Sequence, residues 1–150
     1  MKIISNISPL IALSNIGELE VLRFLFGKII IPKAVHEEYR KPLPEWMEVK
    51  EVKNKILVRL LGEKLHKGEA ETIALALEEN ADLVIIDDKK ARVEAKKLGL
   101  RIIGTAGILL LAKRRGYYKE IKPLINKLLE KGFRLSEEVV EKILKEAGES

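Results

Sequence analysis

The chain has 150 residues, 47% of them hydrophobic, with a formal net charge of +5. That length and apolar share predict one globular domain over 1–150 with a substantial core, and the absence of cysteine excludes disulfides and thiolate metal sites. No apolar run nears the ~20 residues that span a bilayer, and the first residues lack the basic-then-apolar layout of a secretory signal, so a cytoplasmic protein with no membrane partner is expected.

In chain order, "KIIS" (2–5) reads as a strand that runs into helices over 9–15 and 18–26, separated by Gly17. Ser8 stands where an N-cap is expected and Pro9 in the first turn. "KIIIP" (28–32) predicts a second strand, with Pro32 opening a helix through about Arg40. "KPLPEW" (41–46) is a proline-punctuated loop. Beyond it "MEVKEV" alternates like an edge strand, and "ILVRLLGEKL" suits a short helix.

The periodicity then sharpens. "GEAETIALALEEN" (68–80) predicts a helix starting after Gly68 and stopping at Asn80. "DLVIID" (82–87) is a buried strand, "KKARVEAKKLG" (89–99) a helix ended by Gly99, and "LRIIG" (100–104) a further strand. Thr105 is placed to cap the helix over 106–116. Two amphipathic helices follow, about 119–131 and 136–147, the second opened by Ser136. This alternation predicts an α/β fold with three layers: helices on both faces of a central, mostly parallel sheet of four or five strands.

Parallel strands bring all their carboxyl ends to one edge, where open sheets place their chemistry. Asn6, the pair Asp87 and Asp88, and Gly104-Thr105 all fall there. Uncompensated carboxylates raise one another's pKa, so their gathering implies a cation. Helical register turns Glu69 toward the sheet and leaves Glu71 to reach back as half of a capping box. Glu38 shares a face with Val35 and Tyr39 and looks inward. Each acid also has a plainer reading: Glu69 as a first-turn acid favoured by the helix dipole, Asp88 as an N-cap. Asn6, likewise, is read either as a site residue or as a turn residue. His36 and His66 are isolated and expected to be exposed, Ser8 has no candidate base for nucleophilic catalysis, and no glycine-rich phosphate loop is present.

Five segments, "SNISPLIALSNIGELEVLRFLFGKIIIPKAVHEEY", "GEAETIALALE", "LVIIDDKKAR", "LGLRIIGTAGILLLAKRRG" and "KGFRLSEEV", in this order and spacing, resemble the PIN domain family. They are most similar to the small prokaryotic branch that occurs as the toxin of toxin–antitoxin pairs. The resemblance covers essentially the whole chain. It implies a metal-dependent ribonuclease whose acids hold Mg²⁺ or Mn²⁺. The first-strand acid of the family falls on position 6, where this chain has asparagine, and the others fall on Glu38, Glu69 and Asp88, with Asp87 beside the last. Thr105 matches a polar position of the same edge, Ser8 follows the first strand there, and both are expected to contact RNA phosphate together with Lys89, Lys90 and Arg92. Asparagine keeps a carbonyl for a metal or its water and brings no negative charge. Two outcomes stay open at this point: a retained nuclease, or a PIN-like module that binds RNA or protein without cleavage.

The stretch 89–101 places six Lys/Arg against one Glu directly after the acids, with Lys89, Lys90 and Arg92 nearest. Such charge suits RNA phosphates and equally a solvated helix face. The 34% of charged residues and the absence of glutamine suggest a thermophile. The resemblance also implies a small antitoxin partner and a homodimer, for which the apolar "ILLLA" helix (108–112) is either interface or core. A phosphoryl-receiver reading of "VIIDDK" is set aside, because receivers carry their acidic pair on the first strand and have more strands after it.

Overall fold

Five short parallel strands carry the chain's most apolar runs to the centre of the molecule. The computed structural model describes residues 1–150. The strands are β1 (Ile3–Ser5), β2 (Ile29–Pro32), β3 (Met47–Lys50), β4 (Leu83–Ile85) and β5 (Ile102–Ile103), in the spatial order β3-β2-β1-β4-β5. All pairings are parallel, with Ile4 level with Ile30 and Val84. The "MEVK" run is indeed an edge strand, and a single strand follows β4.

The helices are α1 (Ile7–Asn15), α2 (Glu20–Phe26), α3 (Lys33–Glu38), α4 (Lys55–Leu61), α5 (Lys67–Glu78), α6 (Lys89–Lys97), α7 (Thr105–Arg114), α8 (Lys122–Glu130) and α9 (Glu137–Glu146). None is long and apolar enough to cross a membrane. Alternation along the strands splits the core in two. Ile3, Ile29, Ile31 and Ile85 face α1, α2, α7 and α8 in a cluster of 23 buried residues. Ile4, Ile30, Val84 and Ile86 face α4, α5 and α6 in a second cluster of 14. Burying both faces is why these strands read as continuous apolar runs. The "ILLLA" helix is core: Ile108, Leu109, Leu110 and Ala112 are buried.

Several boundaries differ from the sequence reading for local reasons. Helix α1 begins at Ile7, with Asn6 in the N-cap position and Ser8 inside the first turn. Helix α3 stops at Glu38, because Tyr39 turns to extended backbone (φ −81, ψ 100) and buries its ring. Helix α5 starts at Lys67, so Gly68 lies within its first turn and does not mark its boundary. Gly104 is the residue preceding α7, and Thr105 is its first helical residue. Elsewhere the punctuation is as read: Asn80 takes the left-handed conformation (φ 52) after α5, and Ser136 accepts from Val139 N at 3.2 Å to start α9.

Candidate active site

The first turn of α5 points at the carboxyl ends of β1 and β4, and the last turn of α3 folds over it. Gly68 makes this approach possible. A Cβ there would stand 2.8 Å from Glu38 Oε1 and 3.7 Å from Asn6 Oδ1. The hydrogen atom of glycine thus leaves the space into which a carboxylate and an amide converge.

Asn6 is buried, 3% exposed, and its backbone N–H donates to Ile85 O at 2.9 Å, tying β1 to β4. Its side chain does not cap α1 but meets Thr72 Oγ1 at 3.3 Å. Thr72 also lies 2.7 Å from Gly68 O, one turn back along α5. A hydroxyl has one proton, and the shorter distance assigns it to the Gly68 carbonyl.

Glu69 and Glu71 exchange the roles that helical register gives them. Glu69 is the capping-box acid: its Oε1 accepts from His66 N at 3.2 Å while the side chain stays half-buried at the rim. Glu71 is buried and accepts from Ala34 N at 3.0 Å, pinning the start of α3 to α5. The face of α5 that points away from the sheet is covered by α3 and α4, so it never meets solvent. The Glu69 carboxyl is held above the usual carboxylate range, first by burial and then by the charges of Asp88 and Glu38, against the pull of its His66 partner. Asp88 is exposed and caps α6, its Oδ2 accepting from Ala91 N at 2.9 Å. Capping engages one oxygen of a carboxylate and leaves the other to the rim.

Asp87 faces the other way. Oδ1 accepts from Thr105 N and Oδ2 from Thr105 Oγ1, both at 2.7 Å, with Ser8 Oγ at 3.5 Å. Burial raises its carboxyl, opposed by the Thr105 bonds and by Arg92. Asp87 therefore clamps the first turn of α7. Thr105 is fully buried, which corrects its expected place as a cap and phosphate contact: both of its donors are spent on Asp87. Ser8, expected at a cap and on phosphate, instead turns its hydroxyl to the same carboxylate. Of the cations, Lys89 and Lys90 are exposed, whereas Arg92 is partly committed, donating to Ile86 O at 2.9 Å. His36 and His66 are exposed, as expected.

The structure thus brings Asn6, Glu38, Glu69 and Asp88 to one rim and gives Asp87, Thr105 and Ser8 a separate structural bond set. Gly68 and Glu71 escaped the sequence reading. A glycine one residue before an acid in a helical pattern was the available signal for the first, and nothing in periodicity signalled the second. The rim offers oxygen donors only, which suits a hard divalent cation. No lysine or arginine pairs with Glu38, Glu69 or Asp88, so their charge is uncompensated. No group of three acids or histidines is close enough to hold an ion by itself; water or phosphate oxygens would complete the shell, as Mg²⁺ commonly requires. The residues fit such an ion in kind and leave part of its shell to others.

A family model described as a PIN domain matches residues 2–149. Searches of curated proteins and of solved structures return no match.

Proposed function

Because the chain belongs to the PIN domain family, a nuclease-type fold, we propose that it is a metal-dependent endoribonuclease whose rim of Asn6, Glu38, Glu69 and Asp88 takes Mg²⁺ or Mn²⁺. The observation that carries the reading is geometric: the Glu38 carboxylate and the Asn6 amide converge at Gly68 beside Glu69 and Asp88, and no lysine or arginine pairs with these acids. Burial and the neighbouring acids raise the Glu69 carboxyl accordingly, against the pull of His66. A bound divalent ion would lower the pKa of an attacking water and offset charge on the leaving oxygen during phosphodiester hydrolysis.

The chain's own residues supply the rest. Glu38, Glu69 and Asp88 present carboxylate oxygens from three elements. Asn6 contributes a buried, neutral amide beside Thr72. Asp87 serves as the clamp that fixes α7, and Lys89, Lys90 and Arg92 lower the cost of bringing phosphates beside acids. The reading extends to the toxin of a toxin–antitoxin pair, held in check by a small antitoxin protein, in a homodimer.

The experiment is cleavage of a mixed RNA substrate in Mn²⁺ and in EDTA by the wild type, Asp88→Ala and Asn6→Asp. Activity lost in EDTA and in Asp88→Ala supports the nuclease. One observation favours a second reading, a binding module without cleavage: the buried residue at position 6 is a neutral amide, so the rim has one charge fewer than the family pattern. An inert wild type with an active Asn6→Asp would establish that reading, and an inert pair would sink the first.

A further inference from the structure

Beyond the acid rim a cleft of about 520 Å³ runs between α6, β5, the first turn of α7 and the segment leading into α9. Three cations line it from two separate parts of the chain: Lys89 and Arg92 on α6, and Arg134 just ahead of α9. Ile102, Val139 and Ile143 supply an apolar lining. The one acid in its wall, Asp87, has its oxygens engaged by Thr105 and Ser8. None of the three cations forms an ion pair, although Lys97 and Lys64, the first on the same helix, both reach Glu94. Gly104 keeps the wall open, since a Cβ there would stand 2.9 Å from Asp87 Oδ1 and 3.0 Å from an Arg92 nitrogen. Asp87 immediately precedes Asp88, so the cleft begins where the acid rim ends.

We infer that this cleft binds the sugar–phosphate backbone of a single RNA strand, with Arg134 and Lys89 on phosphates flanking the bond presented at the rim. The inference rests on the nuclease reading, which supplies the phosphodiester. An arginine fork pairs bidentately with phosphate and a lysine acts as a point charge. The apolar side suits sugar and base edges. A cleft of this volume admits a piece of one strand and no duplex. An acidic peptide would satisfy the same cations, but continuity with the rim favours the nucleic acid.

The test is fluorescence anisotropy of a labelled single-stranded RNA oligomer in EDTA, with wild type, Arg134→Gln and the control Lys28→Gln. Lys28 is exposed and precedes β2, at the amino end of the strands. Thermal unfolding of each variant checks that the fold is kept. Arg134→Gln is expected to weaken binding about tenfold at low salt, the loss of a charge-assisted hydrogen bond. It should also lower the slope of log Kd against log salt by about 0.7, one phosphate contact on a single strand. Lys28→Gln should change Kd by less than about twofold, because a distant exposed charge is screened. Equal weakening by both variants, unchanged binding in Arg134→Gln, no binding by the wild type, or equal affinity for a poly-glutamate peptide would each overturn the assignment.

Cleavage in Mn²⁺ separates the two ideas. Wild-type cleavage with an unaltered KM in Arg134→Gln removes the cleft and keeps the nuclease. Arg134-dependent binding with no cleavage by any variant removes the nuclease and keeps the cleft.

Discussion

The two ends of helix α5 carry the same residue type in opposite circumstances. At its C-terminal end Glu79 meets Lys50 at 2.7 Å and Lys2 at 3.2 Å, and these partners hold its carboxyl below the usual range. Glu78 beside it accepts from the backbone N–H groups of Lys53 and Asn54. At the N-terminal end Glu69 is pushed above that range by burial and by neighbouring acids. Between them Ala70 to Ala76 are all buried, so one rigid segment joins both. Where charge is matched, the helix is being held in place. Where charge is left unmatched on the same rigid support, it is being kept for something else. The support lets the second end carry a cost that the first end does not.

The comparison breaks most completely if the shared segment is loosened. Ile73→Ala, at a fully buried position, should cost about 2–5 kcal/mol in urea unfolding and lower ion binding at the rim with it. Unimpaired Mn²⁺ binding in that variant would mean that the rim does not depend on the segment. Next, Glu71→Ala leaves the buried Ala34 N–H without its acceptor and should cost about 1–3 kcal/mol, whereas Glu71→Gln keeps a carbonyl oxygen and should stay near wild type. Equal losses in the two would show that packing, not the bond, matters there.

Gly68→Ala sharpens the contrast by separating fold from site. Alanine favours the helix by up to about 1 kcal/mol, yet its Cβ would displace the Glu38 carboxylate. The expected result is unchanged or raised Tm with lost Mn²⁺-dependent thermal stabilisation. The smallest effects are electrostatic and opposite in sign. The folded pKa of Glu79 is depressed, so the stability it contributes is complete above its unfolded pKa and is lost as pH falls through the folded value. The folded pKa of Glu69 is raised, so its charge costs stability in full above the folded value and the cost vanishes as pH falls below the unfolded one. Glu79→Gln should therefore destabilise and Glu69→Gln stabilise at neutral pH, with the Glu69 difference gone below its unfolded pKa and the Glu79 difference shrinking as pH falls through its depressed folded value. Urea midpoints at neutral and at acidic pH measure this, and a shared sign at neutral pH would refute the comparison.

Much of this architecture is legible in the sequence because strand and helix periods report burial directly. The α/β class, the edge strand at Met47–Lys50 and the cap at Ser136 follow from local pattern. The rim residues are reached because parallel strands deliver their ends to one edge. The exchange between Glu69 and Glu71 was not legible, since a helical wheel assumes one wet face and α5 has α3 and α4 over the other. Ser8 and Thr105 were misplaced by one or two residues at helix starts, where a hydroxyl fits capping and long-range bonding alike, and only the position of Asp87 decides. Arg134 stands 42 positions beyond Arg92, and no period links them.

Helix α9 has no buried residue. Just past its end, Glu149 is held by Lys113 and by the N–H groups of Ile121 and Lys122. Its other end borders the cleft across from α6, whose Ala91 and Ala95 are sealed in the core. Amide hydrogens on the two sides of the cleft therefore exchange with solvent at different rates, early along α9 and late along the buried face of α6. The cleft is bounded by one wall sealed into the core and one that rests on it through partly buried side chains such as Val140 and Ile143.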